Sequence, residues 1–210
     1  MTKKATGLTV LGCAALSLFS LPLATGAWAA DVNKLVGNCA SCHGKDGAST
    51  ESDVPIIGGY SAPFIVDSLI AYKKKARPCP ESEYRTGDKK GQKSDMCSVA
   101  KDLSEADMKQ LGQYFASKKF VRAQQKFDPA LAKKGKELHE RSCDKCHSEG
   151  GSLASDDAGI MAGQWMPYLK EQFKEFKAGK RPMVKKMQPK MEKLEQADID
   201  ALINFYGSFK

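Results

Sequence analysis

CASCH, residues 39–43, and CDKCH, residues 143–147, decide how the rest of this chain is read. In each, two cysteines stand three positions apart and a histidine follows at once, so a single helical turn presents two thiols and an imidazole together. A zinc ribbon would bring its two CxxC pairs into one small knuckle, whereas these lie 104 residues apart and each has its own histidine. A thioredoxin-type dithiol needs a βαβ setting, which is not visible here, and gives no reason for the histidine. Covalent attachment of haem c accounts for all three residues. The thiols of Cys39 and Cys42, and of Cys143 and Cys146, add to the two vinyl groups of one porphyrin each, while His43 and His147 face the iron. Two covalently bound haem c groups are therefore expected.

The chain repeats itself around these motifs. A displacement of 104 residues superposes Gly59 on Gly163, Tyr72 on Phe176, and Arg77-Pro78 on Arg181-Pro182. Further on the displacement falls to 91, and LSEADMKQLGQYFAS (103–117) lies over LEQADIDALINFYGS (194–208). The first copy has thus gained 13 residues between Pro78 and Met96. Met108, Leu111 and Phe115, and again Ile199, Leu202, Ile203 and Tyr206, fall at helical spacing. Ser104 with Asp107 reads as a capping box, whereas the second helix, with Glu195, lacks an equivalent cap residue. Further helices are expected around each CxxCH (Leu35, Val36, Cys39; Leu131, Leu138, Cys143) and before each Arg-Pro (64–75 and 166–178). No period-two alternation bounded by hairpin turns stands out. The expected architecture is two all-α domains, residues 30–122 and 123–210, joined near Val121–Lys126, with residues 79–97 as an inserted loop in the first.

Residues 1–29 read as a secretory signal peptide: Lys3 and Lys4, an apolar run from Leu8 to Leu23, then Ala27-Trp28-Ala29, with cleavage after Ala29. An uncleaved anchor competes, but Gly12, Ser17, Ser20 and Pro22 interrupt a run already shorter than the roughly 20 residues a bilayer requires. Val10-Leu11-Gly12-Cys13 is only a weak match to a lipoprotein site. The expected mature protein is periplasmic, with no stable membrane span. Its net charge falls from +8 to +6, divided evenly at Arg122, which is not the concentrated basic footprint of a nucleic-acid binder. Two domains of about 90 residues would each be short of core alone, and a mostly apolar cofactor would supply what is missing.

An iron held by histidine on one side needs a ligand on the other. The mature chain has one histidine outside the motifs, His139, so bis-histidine ligation of both haems is excluded. His139 aligns with the apolar Leu35 and reads as a local structural residue. Met96 and Met187 each stand seven residues before the aligned Leu103 and Leu194, which nominates them as the sixth ligands. Met161, Met183 and Met191 have no methionine counterpart in the first copy and read as core filler. Pairing His43 with Met96 and His147 with Met187 fills both coordination spheres and raises the potential. That suits electron transfer better than oxygen or peroxide chemistry.

Cys79 and Cys97 bracket the insertion, and in an exported protein their default is a disulfide that would pin the segment carrying Met96. Two alternatives are a reduced pair that binds a soft ion such as copper, and Cys97 replacing Met96 at the iron. Basic residues recur at matching places: Lys73, Lys74, Lys75 and Arg77, then Lys177, Lys180, Arg181, Lys185 and Lys186. They read as a solvated face, as a dock for an acidic partner, or, for Arg77 and Arg181, as partners of haem propionates.

GIMAGQWMPYLKEQFKEFKAGKRPMVKKM (Gly159–Met187), with the two CxxCH motifs, resembles the di-haem, two-domain class I cytochromes c. More narrowly, GKELHERSCDKCHSEGG (Gly135–Gly151), with AGQWMPYL and RPMVKKM, resembles the cytochrome subunit of flavocytochrome c sulfide dehydrogenase. That resemblance implies two tandem class I cytochrome c domains and a separate FAD-containing flavoprotein. The flavoprotein would oxidise sulfide and pass electrons singly through this chain to a downstream acceptor such as a soluble cytochrome c. This chain shows no flavin-binding GxGxxG pattern of its own. Such domains often orient the haem histidine with a proline carbonyl; Pro55 stands in that place in the first copy, Gly159 in the second. Two other functions remain open, a free-standing di-haem carrier and a catalytic di-haem thiosulfate dehydrogenase.

Overall fold

The computed structural model describes residues 1–2 and 31–210. The expected signal peptide from Lys3 onward, including Cys13, lies outside the described residues. Among the described residues no helix is long and apolar enough to cross a membrane.

Each helix of the first domain begins where a side chain satisfies otherwise unpaired backbone N–H groups. The Asp31 carboxylate accepts from Asn33 N at the start of α1 (Val32–His43). Ser61 accepts from Phe64 N at the start of α2 (Ala62–Lys73), where Pro63 in the first turn sets the helical φ in advance. That helix starts two residues before the apolar pattern suggests, because cap chemistry rather than hydrophobicity sets the boundary. Asp95 caps α3 (Met96–Ala100), and the Ser104/Asp107 capping box opens α4 (Glu105–Ala116). The second domain runs through α5 (Pro129–Ser142), the single turn α6 (Ser148–Gly151), α7 (Met166–Lys177), α8 (Gln188–Glu192) and α9 (Gln196–Gly207). Two sequence expectations are corrected. The start of α9 does carry half of a capping box, the Asp198 carboxylate accepting from Glu195 N at 3.0 Å, which needs only a backbone N–H at the cap position. The inserted loop contains an antiparallel pair, β1 (Ser82–Glu83) and β2 (Lys93–Ser94), too short to show alternation in sequence.

The two domains repeat one packing scheme. In the first, α2 lies against α4 and α1 packs on α4 as well; in the second, α5 crosses α9 and α7 packs beside it. Met108, Leu111 and Phe115 are buried with Ile65 and Leu69; Ile199, Leu202, Ile203 and Tyr206 are buried with Leu169 and Phe173. Gly59 N donates to Phe115 O at 2.8 Å, and Gly163 N to Tyr206 O at 2.7 Å, the same clasp in both copies. Both glycines have φ above +80°, where a side chain is strained. Lys73 Nζ donates to Leu103 O, and Lys177 Nζ to Leu194 O. These two members of the basic clusters therefore tie the ends of α2 and α7 to the segments that lead into α4 and α9.

The domains meet through reciprocal contacts of equivalent residues. Tyr60 Oη donates to Ile160 O at 3.3 Å, and Gln164 Nε2, at the position equivalent to Tyr60, donates to Ile56 O at 2.9 Å. Gln164 Oε1 also accepts from Ile56 N at 3.0 Å and from Trp165 N at 3.1 Å, and its Nε2 reaches the Tyr60 hydroxyl at 2.8 Å. Ile160 itself is part of the first domain's apolar core, so the contact is continuous with that core.

Cys79 and Cys97 are joined in a disulfide, with Cα atoms 5.8 Å apart. Its sulfurs are consequently not available as thiolates to a copper ion or to iron. The Asp95 carboxylate beside them is occupied in capping α3 through Ser98 N at 2.8 Å. Replacing both cysteines with serine is expected to cost the first domain about 3 kcal/mol through loop entropy. Denaturant titration of the oxidised wild type against the double variant measures it.

Candidate functional site

The first CxxCH closes α1. Cys39 is packed against the first domain's core, and burial pushes its thiol up to about 12, with the neighbouring Cys42 adding to the rise. Burial raises Cys42 as well, against the pull of Arg85. A dithiol built for exchange holds its nucleophilic sulfur as a low-pKa thiolate, so this environment argues against thioredoxin-like chemistry. Neither cysteine is in a disulfide, and the same holds for Cys143 and Cys146. His43 is buried, and its Nδ1 lies 2.9 Å from the Pro55 carbonyl. That bond places the proton on Nδ1 and leaves Nε2 as the metal-binding atom. Burial lowers the His43 pKa, outweighing the Pro55 bond, so the ring is held in the neutral form a metal requires.

The second CxxCH differs locally. Cys143 N and Asp144 N both donate to His139 O, so α5 widens and stops at Ser142 instead of running through the motif. A tight turn then carries Cys143 to His147, with Cys146 N and His147 N both on Cys143 O. His147 Nδ1 is buried and has no hydrogen-bond partner among the described residues. Gly159, in the place of Pro55, does not supply one. His139 is buried against Phe205 and Tyr206, its Nδ1 3.0 Å from the Tyr206 hydroxyl and its Nε2 3.4 Å from Asp144. It serves as a bolt in the α5–α9 crossing.

Met96 is the first residue of α3 and packs on the first core; Met187 immediately precedes α8 and packs on the second. Met191 is a buried core residue, and Met161 and Met183 pack against the same core. Each domain thus carries two free thiols, a histidine whose pKa is lowered by burial, His43 being buried and His147 half-buried, and a half-buried methionine packed on the core.

Between the domains lies a buried cationic cluster that sequence reading only half identified. Arg77 and Arg181 both donate to Gln172 Oε1, and each guanidinium stacks on an aromatic ring, Tyr72 and Phe176 respectively. Arg77 is buried, and its Nε has no hydrogen-bond partner among the described residues. The nearby Glu175 is also buried with Oε2 unpartnered, and burial raises its pKa against the pull of both arginines. Two enclosed guanidinium groups facing one reluctant carboxyl call for further anions, because buried charge is tolerated only when compensated. Haem propionates are anions of the right kind, so the donor set and the charge both fit two haem c groups. Gln172 has no sequence signal of its own; the repeat marks only the two arginines.

The cytochrome c family matches residues 132–209. Cytochrome c4 from Stutzerimonas stutzeri is 29% identical over 186 residues, covering 81% of this chain and 83% of that protein. The crystal structure of reduced recombinant cytochrome c4 from Pseudomonas stutzeri superposes with a TM-score of 0.66 at 26% identity, covering 87% of this chain and all of the other. A thiosulfate dehydrogenase from Marichromatium purpuratum superposes with a TM-score of 0.63 at 19% identity over 36% of its own chain, a likeness of fold alone. Both halves of the chain therefore have the class I cytochrome c fold, arranged as in cytochrome c4.

Proposed function

We propose that this chain, a di-haem cytochrome c of the cytochrome c4 kind, is a free-standing periplasmic carrier that moves electrons one at a time between proteins. The observation that supports this reading is the duplication: in both domains a CxxCH with free thiols, a histidine whose pKa burial lowers and a core-packed methionine, with a shared arginine cluster between them. Each bound haem supplies a one-electron iron couple. Cys39 and Cys42 tether one and Cys143 and Cys146 the other. His43 with Met96, and His147 with Met187, would hold the two irons. With those four ligands bound, neither iron would have an open position, which favours transfer over bond-making chemistry. Arg77 and Arg181 offset propionate charge where the domains meet.

A second reading keeps the same chemistry but attaches the chain to an FAD-containing sulfide dehydrogenase flavoprotein. It is favoured by GKELHERSCDKCHSEGG (135–151) and RPMVKKM (181–187), and would leave sulfide oxidation to the partner. Catalysis resembling thiosulfate dehydrogenase would need an open or labile position at one iron, which ligation by both methionines would not leave. Purification from the native host decides between the settings. The carrier reading expects two covalent haems per chain, the methionine-to-iron charge-transfer band at both, and no companion chain. A stoichiometric FAD protein that co-purifies would establish the second reading instead, and a chain without haem would remove both.

A further inference from the structure

The junction of the two domains also encloses a carboxyl. Glu175, in the last turn of α7, is 4% exposed, and its Oε2 has no hydrogen-bond partner among the described residues. Lys180 N and Arg181 N both donate to its backbone carbonyl, so the turn that closes α7 fixes where the side chain stands. The first copy has Ala71 at this position, so only the second copy supplies such a carboxyl.

The charged and titratable groups around it come from both domains. Tyr72 on α2 and Arg77 just beyond it belong to the first; Tyr168, Glu171 and Lys174 on α7, and Arg181 just beyond it, belong to the second. Both guanidinium groups bond to the neutral amide oxygen of Gln172, and Glu175 Oε2 is left without a donor. An enclosed carboxylate with an unsatisfied oxygen is costly, and the carboxylic acid is much less so. Burial accordingly raises the Glu175 pKa above the ordinary carboxylate value, against the pull of Arg77 and Arg181. An electron that enters either domain removes one positive charge. In an enclosed junction that change is poorly screened, and it favours the carboxylic acid further.

We propose that Glu175 is a redox-linked proton site shared by the two domains. Its carboxylate takes up one proton from solvent, forming an O–H bond, as the chain accepts an electron from its reduced donor protein. The proton returns to solvent as the electron leaves for the acceptor. This rests on the di-haem carrier reading and adds a proton to its electron. Protonation and reduction favour one another, so the midpoint potential falls as pH rises through the Glu175 titration.

Spectroelectrochemical titration of the full-length holoprotein across about pH 5–8 tests this. At a fixed applied potential the ratio of reduced to oxidised wild type is expected to fall on the order of tenfold over that window. Glu175→Gln keeps the shape but not the titration, and is expected to remove most of that change. Glu171→Gln, at the neighbouring carboxylate that pairs with Lys174, is expected to keep it within about twofold of wild type. Infrared difference spectra of wild type grown on isotopically labelled glutamate need no substitution. Reduction is expected to produce a protonated-carboxyl band that shifts with the label. Haem content and the methionine-to-iron band of each preparation report separately on the carrier reading, and a chain without haem would overturn both. Wild-type pH dependence in Glu175→Gln, equal loss in both variants, or no label-sensitive band on reduction would overturn the proton site alone.

Discussion

A chain in which Cys143 and Cys146 are both replaced by alanine is expected to leave the cell with one covalent haem instead of two. Haem absorbance per chain should halve, and the remaining charge-transfer band should belong to the His43/Met96 centre. The physical reason is that the second domain's thiols are its only tethers, and a domain of about 90 residues without its cofactor is short of buried apolar surface. The second domain should consequently unfold at lower denaturant than the first, splitting one transition into two. The converse pair, Cys39→Ala with Cys42→Ala, should leave the other centre. A double variant that still carried two covalent haems would refute the assignment of CDKCH.

Gln164→Leu is expected to destabilise the junction of the two domains by about 3–5 kcal/mol, since burying unpartnered donors and acceptors costs about 1–3 kcal/mol each. Gln164 is fully buried, and its amide serves Ile56 N, Ile56 O, Trp165 N and the Tyr60 hydroxyl at once. Leucine fills a similar volume and serves none of them. Calorimetry should show the two domains melting separately, while the visible spectrum of each centre is unchanged because no haem ligand is touched. If the variant still melted as one unit at the wild-type temperature, the interface would owe its strength to the apolar contact of Ile160 instead.

The motifs and the repeat made the architecture legible, since thiol spacing and helical periodicity are local properties of sequence. The 104-residue displacement carried further than expected, because it aligns Tyr60 with Gln164 and Arg77 with Arg181, the residues that meet at the interface. What stayed hidden was non-local. Gln164 and Gln172 look like ordinary surface polar residues until the other domain is placed against them. The hairpin escaped notice because its paired strands are two residues long and are held by a disulfide and by Ser41 rather than by side-chain alternation. His147 shows the reverse case. Gly159 in the place of Pro55 signals the loss of a carbonyl partner, and the buried Nδ1 is left without one.

The reciprocal contact of Tyr60 and Gln164 has a further meaning for how copies of the chain treat one another. A duplicated domain inherits a surface suited to its own twin, which invites exchange of halves between molecules. Here the twins have diverged at a position that both present to the contact, Tyr60 in one and Gln164 in the other. Two Tyr60 halves set together would offer a hydroxyl to each carbonyl and nothing to Ile56 N–H. Two Gln164 halves would set amide against amide without the phenol that receives Nε2. Each half is complementary to its sibling rather than to itself, so pairing of like halves from two chains is disfavoured.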